Sequence, residues 1–296
     1  MLSDNARGAL MMMVGMAAFT LSDAIMKLLA TQLPLFQTLL WRGLAVSAVL
    51  GLMAWRAGAF RVALTGGDRR LVLLRALADT VSTWFFLQAL YHMPLANLTA
   101  IMQALPLTLT LGAALFLGER VGWRRLVAIG VGFLGVLLVV RPDSSGFDLY
   151  ALYALLCVGL VTARDLLTRR MARAIPALLI ALANAVAVTL FGLVGSASEV
   201  FTAPTGQGAL LLAGTAVFVV AGYLMTVMAV RVGELGFVTP FRYTGLIWAL
   251  VLGFVIFAEW PDPLTQLGAG LIVATGLFTF YRERLTARRL RARAPH

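Results

Sequence analysis

Long apolar stretches separated by short polar segments recur along the whole chain. An α-helix needs about 20 mainly apolar residues to cross a bilayer, and ten stretches approach or reach that length. The predicted spans are residues 8–30, 34–55, 71–91, 95–117, 124–140, 149–169, 176–195, 208–230, 235–257 and 264–281. The pattern therefore predicts an all-α integral membrane fold with ten transmembrane helices, in which the lipid bilayer is the main solvent.

The composition agrees with a lipid environment. The 296 residues are 61% hydrophobic and 12% charged, whereas soluble domains average about 45–50% apolar and about 25% charged residues. The single cysteine, Cys157, lies inside an apolar stretch and cannot form an intrachain disulfide. One soluble core could not bury this much apolar sequence.

The net charge of +11 does not indicate a nucleic-acid partner, because the arginines lie in short clusters between spans. Cytoplasmic loops retain Lys and Arg, and clusters follow every second predicted span. They comprise Arg56, Arg61, Arg69, Arg70 and Arg75; Arg120, Arg124 and Arg125; Arg169, Arg170 and Arg173; Arg231; and the C-terminal tail. The alternate loops hold Pro34, Asp143, Ser144, Asp148, Glu199 and Pro204, with Arg141 as the main exception. We expect a multi-pass protein of the inner (cytoplasmic) membrane with both termini in the cytoplasm.

An internal repeat accompanies this topology. A shift of 140 superposes Leu95 on Leu235, Thr99 on Thr239 and Glu119 on Glu259, and a shift of 142 superposes Asp23 on Asp165, Lys27 on Arg169 and Pro34 on Pro176. These matches predict a first five-helix repeat at 1–142, a second at 143–284, and a basic cytoplasmic tail at 285–296. Because five is odd, the two repeats must cross the membrane in opposite orientations. Inverted repeats are typical of secondary transporters that work by alternating access around a site near the midplane.

At these residues the sequence resembles the EamA-like ten-helix carriers of the drug/metabolite transporter superfamily. The motifs are Ala-Leu-Tyr-His-Met-Pro-Leu-Ala at 89–96, Pro106, Leu-Gly-Glu-Arg at 117–120 and Val-Arg-Pro at 140–142, then Pro240, Tyr243, Glu259, Gly268 and Gly270 in the second copy. Phe-Ala-Glu-Trp at 257–260 departs from the Leu-Gly-Glu form. The resemblance implies a carrier of small molecules around a central cavity. It is nearest to the YddG-like exporters of aromatic and other neutral amino acids.

Ionisable residues inside spans are costly, so they usually pair or face a cavity. Asp23 and Arg42 lie at similar depth in spans one and two, and we expect an ion pair there with Lys27 nearer the surface. This pair is either a gate or substrate anchor, or a lock between two helices. Similar residues occur in relatives that import adenosylmethionine.

A second group of ionisable residues lies towards the cytoplasmic end: Asp79, Arg164, Asp165 and Arg242. They form a gate that exchanges ion pairs, or they extend to the cytoplasm. Arg242 also counts among the candidate substrate-binding residues.

Polar and aromatic side chains inside spans are the other candidates for substrate binding. Thr99, Gln103, Pro106 and Thr110 share one helical face, and proline frees a backbone carbonyl for other partners. The full set adds Trp84, Gln88, Asn184, Thr239, Tyr243 and Trp248. The rival interpretation is that the polar members join helices to one another. Glu119 and Glu259 are expected to stabilise helix ends instead.

No cofactor is expected, since the sequence has no phosphate-binding Gly-x-x-x-x-Gly-Lys-Ser/Thr loop and its two histidines do not make a typical zinc site. The leading hypothesis is a secondary transporter or facilitator, a monomer or homodimer, that exports small metabolites, with aromatic and other neutral amino acids as the leading substrates. Alternatives are a carrier of adenosylmethionine, a nucleotide sugar or a drug, an intramembrane lipid enzyme, and a structural membrane subunit. The residues leave proton coupling and facilitated diffusion both open.

The predicted topology can be tested with single cysteines in a Cys157→Ser background. Asp68→Cys and Glu119→Cys should react with an impermeant thiol reagent from the cytoplasmic side only, and Asp143→Cys and Glu199→Cys from the opposite side only. Reaction of either pair from two different sides would exclude five spans per repeat.

Overall fold

The computed structural model describes residues 3–119, 121–141, 148–172 and 174–293, with the side chains of 235–236 and 283–293 left aside. Arg120, Pro142, Asp143, Ser144 and Arg173, discussed above, lie outside the described residues, as do the side chains of the basic tail. The helices are α1 (Asp4–Leu29), α2 (Leu35–Arg56), α3 (Gly66–His92), α4 (Leu95–Met102), α5 (Leu105–Leu117), α6 (Trp123–Val140), α7 (Leu149–Arg170), α8 (Ala177–Ser196), α9 (Gly206–Val232), α10 (Leu235–Val238), α11 (Thr244–Phe257) and α12 (Pro263–Arg293). Short 3₁₀ helices occur at Ala59–Arg61 and Thr239–Tyr243.

Within the described residues, ten helical segments are long and apolar enough to span a membrane, as the sequence predicts. The segment Leu95–Leu117 combines α4 and α5, and Thr239–Phe257 combines a 3₁₀ turn with α11. Most predicted boundaries agree within two or three residues. Helix α12 differs most, since it continues to Arg293, 293 − 281 = 12 residues past the predicted end of its span. Helix α3 begins at Gly66, 71 − 66 = 5 residues before the predicted start.

The chain forms two compact units. One contains residues 1–20, 93–152 and 222–296, and the other contains residues 21–92 and 153–221. We call them the α6–α12 unit and the α2–α8 unit, after the helix pair that each contains. The division passes through α1 and α9, so neither unit coincides with a predicted repeat. The repeat boundaries stay a prediction.

Helices related by the shift of about 140 pack against each other in antiparallel pairs inside each unit. The Glu199 carboxylate after α8 accepts hydrogen bonds from the first backbone N–H groups of α2, at Phe36 (3.0 Å) and Gln37 (3.1 Å). The Glu259 carboxylate after α11 accepts one from Leu95 at the start of α4 (3.1 Å). The expectation that Glu259 stabilises a helix end is therefore confirmed.

The pair α6 and α12 is joined in the same antiparallel way. Arg141 at the end of α6 forms an ion pair with Asp262, which also accepts hydrogen bonds from the backbone N–H groups of Leu264 and Thr265 at the start of α12. This pairing gives Arg141, the exception to the charge alternation, a partner at its own end of the unit.

Contacts in these pairs are reciprocal. The hydroxyls of Ser47 and Thr189, 142 positions apart, share a hydrogen bond at 3.3 Å. A Cβ on Gly132 would meet Thr275, and a Cβ on Gly135 would meet Ile272, so each glycine faces the counterpart of the other under the shift of 140. A two-fold relation between packed elements produces reciprocal contacts of this kind. The inverted orientation of the complete repeats stays a prediction that these contacts favour.

Two spans are interrupted at corresponding places. Between α4 and α5, Gln103 donates its backbone N–H to both Thr99 and Ala100, and Pro106 follows in the first turn of α5. In the later span, a 3₁₀ turn at Thr239–Tyr243 contains Pro240. Proline has no N–H and breaks the regular helical hydrogen bonding, which explains both interruptions.

Close packing of α6 on α12 gives a stability test. A Cβ on Gly135 would lie 2.7 Å from the backbone oxygen of Gly268, which cannot move away easily, whereas nothing lies within 4 Å of a Cβ on Gly130. We expect Gly135→Ala to lower the free energy of unfolding by about 1–3 kcal/mol, as overpacking does. Gly130→Ala on the same helix is the control, and helix propensity predicts a small gain. Thermal unfolding in detergent checks both, and equal behaviour of the two variants would contradict the packing.

Candidate functional site

Within the α2–α8 unit, a polar cluster surrounds Arg42 on α2. Its Nη2 donates to the Ser22 hydroxyl at 3.4 Å, and that hydroxyl also shares a 2.6 Å hydrogen bond with the Thr215 hydroxyl. Asp23 and Tyr91 both interact electrostatically with the guanidinium. We call Ser22, Asp23, Arg42 and Tyr91 the Arg42 cluster.

The predicted pair of Asp23 and Arg42 is close but indirect. The two charges act on each other through space, yet in the described part of the chain no hydrogen bond or salt bridge joins them. The Nε of Arg42 is buried and has no hydrogen-bond partner among the described residues. The pair is therefore not a closed lock in this structure.

A second cluster in the same unit is directly paired. Arg164 on α7 donates to the carboxylates of Asp79 (2.5 Å) and Asp165 (2.9 Å). Asp79 is the central residue of the 27-residue helix α3. The side chains of Arg164 and Asp79 are only 25% and 16% exposed. Direct pairing, rather than extension of each charge to water, satisfies these groups. We call these three residues the Arg164 cluster.

Aromatic and amide side chains lie on α3 as well. Trp84, Gln88 and Tyr91 follow at i, i+4 and i+7 and so share one face of the helix. The ring of Trp84 contacts Phe85 (centroids 5.0 Å apart) and Tyr153 of α7 (5.6 Å). Sequence reasoning selected Trp84 and Gln88 but missed Tyr91 and Tyr153. Spacing along α3 could have revealed Tyr91, since it continues the face of the other two.

The interrupted spans of the α6–α12 unit hold the other candidates. The side-chain amide of Gln103 donates to the backbone carbonyl of Arg242 at 3.5 Å. Tyr243 is 6% exposed and its buried hydroxyl has no hydrogen-bond partner in the described residues. Its ring packs on Phe280 of α12 (centroids 6.4 Å apart). Gln103 and Tyr243 thus lie at the two helix interruptions, and their role in binding stays a prediction.

A cavity of about 700 Å³ lies beside Tyr243 in this unit. Side chains of α4, α11 and α12 line it, and most are apolar; the polar ones include Thr244, Thr265 and Gln266. Its volume is in the usual range for ligand pockets, roughly 300–1,000 Å³. Of the predicted binding residues, Tyr243 alone is among the described residues that line it.

The remaining candidates are more scattered. Thr99 and Thr239 are half-buried near the interruptions, and Lys27 is half-buried on α1. Trp248 is 38% exposed on α11, whereas Tyr243 is buried. Asn184 on α8 is half-buried, and its Oδ1 has no hydrogen-bond partner in the described chain. Their roles in binding stay predictions.

The Arg164 cluster gives a test of pairing. Arg164→Gln leaves two carboxylates without their cation, and we expect a loss of about 2–4 kcal/mol, below the roughly 3–5 kcal/mol of fully buried pairs because the side chains keep some exposure. Adding Asp79→Asn should restore most of the loss. As the control, Arg69→Gln should change stability little, because Arg69 is exposed on α3, the helix of Asp79. A double variant no more stable than Arg164→Gln would show that the two residues do not act as a pair.

Comparison with known proteins identifies a family and several relatives that the chain resembles. The model of the EamA-like transporter family matches residues 6–141. A riboflavin transporter of Rhizobium johnstonii is 31% identical over 218 residues, covering 72% of this chain and 69% of that protein. The pseudopaline exporter CntI of Pseudomonas aeruginosa is 28% identical over 90% of this chain and 93% of its own. An S-adenosylmethionine uptake transporter of Rickettsia felis is 23% identical over 92% of both.

A solved crystal structure supports the fold as well. It superposes with a TM-score of 0.63 over 96% of this chain and 98% of the other, at 20% sequence identity. At that identity the likeness concerns the fold alone. The relatives named above are all transporters, and the described chain has ten helices fit to span a membrane. The chain belongs to the EamA-like transporter family of the drug/metabolite transporter superfamily, and it is a multi-pass membrane transporter of small molecules rather than an enzyme.

Proposed function

We propose that this chain is a secondary carrier or facilitator that exports small metabolites by alternating access, with aromatic and other neutral amino acids as its leading substrates. The observation that carries the proposal is that the charged residues of the Arg42 cluster and an aromatic and amide face of α3 lie inside the spans of one unit. Trp84, Gln88 and Tyr91 share a face of α3, and Tyr91 interacts with Arg42. Charged residues can bind the ammonium and carboxylate groups of an amino acid, and aromatic rings can pack against its side chain.

Alternating access is supported by the way related helices pack. Inverted repeats allow a carrier to reach opposite sides by exchanging the conformations of equivalent elements. The antiparallel pairs and the reciprocal contacts at Ser47 and Thr189 agree with such a relation. In this proposal the directly paired Arg164 cluster is a closed gate that opens when its ion pairs separate. We place the protein in the cytoplasmic membrane with both termini inside, following the arginine asymmetry.

S-adenosylmethionine is the second candidate substrate. A relative covering 92% of this chain is an S-adenosylmethionine uptake transporter, and this solute joins an α-amino acid head to a planar heterocycle. The same charged and aromatic side chains would suit both parts. It is therefore included with the amino acids in the experiment below.

Purified protein in liposomes tests the proposal. We expect it to accelerate counterflow of labelled phenylalanine, tryptophan, threonine or methionine. Trp84→Ala and Gln88→Ala should reduce that flux about tenfold or more, because each removes a side chain from the face of α3 that the proposal assigns to the solute. Trp123→Ala is the control, since Trp123 is 69% exposed at the start of α6 and should leave flux unchanged.

The same preparation identifies the contradicting results. Flux of nucleotide sugars alone, or normal amino-acid flux after both Trp84→Ala and Gln88→Ala, would contradict the proposed substrates. Repeating counterflow with an imposed pH gradient distinguishes proton-coupled transport from facilitated diffusion. Gel filtration of each variant in detergent shows that it remains folded.

A further inference from the structure

The two charged clusters of the α2–α8 unit correspond to each other in sequence but not in pairing. The shift of 142 superposes Ser22 on Arg164 and Asp23 on Asp165. Arg164 is hydrogen-bonded to two carboxylates, whereas Asp23 and Arg42 are only coupled through space. A lock between helices requires direct pairing of the kind that Arg164 makes. The Arg42 cluster needs a different explanation.

Arg42 has fewer acceptors than a buried guanidinium requires. A guanidinium has five N–H donors and no acceptor, and burying it without partners is costly. Its one hydrogen bond among the described residues is to the Ser22 hydroxyl at 3.4 Å, and Ser22 already shares a hydrogen bond with Thr215. Its Nε has no hydrogen-bond partner there. An additional acceptor, best a carboxylate, would complete this site.

Glu199, whose carboxylate lies at the start of α2, makes no hydrogen bond to Arg42 among the described residues. Both oxygens of Glu199 accept backbone N–H groups at the start of α2, from Phe36 and Gln37. Those hydrogen bonds satisfy N–H groups that a helix start otherwise leaves without partners, and they hold Glu199 at the helix end. Among the described residues, Asp23 makes no hydrogen bond to the guanidinium either.

We propose that Asp23 and Arg42 form a zwitterion subsite, in which the Arg42 guanidinium binds the α-carboxylate of the solute and the Asp23 carboxylate binds its α-ammonium. The subsite rests on the proposed function and specifies that the protein recognises the α-carboxylate and α-ammonium of the solute. A zwitterion satisfies both charges and adds no net charge at membrane depth, where an unpaired charge is costly. A solute that carries only an anionic group would be repelled by Asp23. A solute that carries only a cationic group would be repelled by Arg42.

The surroundings give the solute a direction. Tyr91 interacts with Arg42, and Gln88 and Trp84 continue the same face of α3 away from it. A solute held by its head group at Arg42 would extend its side chain along this face towards Trp84. The subsite therefore selects the head group, and the α3 face accommodates varied side chains.

Competition in the liposome assay tests the subsite directly. Labelled phenylalanine counterflow is measured against unlabelled phenylalanine, 3-phenylpropionate, which lacks the ammonium, and phenethylamine, which lacks the carboxylate. For the natural chain, we expect only phenylalanine to compete, by about thirtyfold or more over either analogue. Asp23→Asn should bring 3-phenylpropionate close to phenylalanine, and Arg42→Gln should do the same for phenethylamine.

Two further sets of variants keep the result interpretable. Asp23→Glu and Arg42→Lys retain each charge with altered geometry, so they should raise the half-saturating concentration while the order of competitors stays the same. Asp165→Asn, at the position that corresponds to Asp23, should change the maximal rate and leave that order unchanged. Thermal unfolding in detergent confirms that each variant is folded.

Each outcome has one meaning. If the natural chain carries phenylalanine and the order of competitors is the same in Asp23→Asn and Arg42→Gln, the pair has a structural role and the subsite is wrong, while the transport proposal stands. If the natural chain carries no amino acid and no S-adenosylmethionine, the proposed function fails and the subsite with it. Opposite changes in competitor order for the two variants would establish the subsite.

Discussion

Inside a bilayer every backbone N–H and C=O group needs a partner from the protein, because hydrocarbon offers none. Regular helices meet this requirement, and most of the chain consists of them. The exceptions then determine where polar side chains are placed. Pro106 and Pro240 interrupt two spans, and at these interruptions the Gln103 amide takes up the carbonyl of Arg242. Irregular backbone at membrane depth is tolerated where protein or a wet cavity surrounds it, so the same places suit solute binding.

Charges obey a related constraint. A charge in the span must be paired or hydrated, and the two clusters meet this requirement differently. Arg164 has direct carboxylate partners, and separating them would expose three uncompensated charges at once, which suits a gate with two distinct states. Among the described residues, Arg42 makes one long hydrogen bond, to Ser22, and interacts through space with Asp23 and Tyr91. A solute can therefore complete its coordination without first breaking a direct protein ion pair. Gate and subsite thus follow from one electrostatic requirement.

The sequence was enough to predict most of the fold, because span length and hydrophobicity are local properties. That Glu259 stabilises a helix end was also predictable, but not that the end is the start of α4, 164 positions away in sequence. The packing of the helices was not predictable. Gly135 lies against Gly268, and Arg164 contacts Asp79 across 85 positions, because helices that are distant in sequence fit together. The boundary between the two units accordingly falls within α1 and α9, and no periodicity in the sequence indicates it. For the same reason Tyr153 was missed, although it lies on an obvious span.

In the proposed function, differences between the two predicted repeats carry the specificity. Identical halves would give two equivalent solute sites, one towards each face, and a solute released from the first would be held again by the second. Arg42 corresponds to Asn184, and Ser22 to Arg164, so the guanidinium belongs to α2 in one cluster and to α7 in the other. In the second cluster Asp79 and Asp165 neutralise it, which leaves no comparable cation there for a carboxylate. Shared packing such as Ser47 against Thr189 keeps related helices alike, while a few unequal charges leave one place where a zwitterion binds.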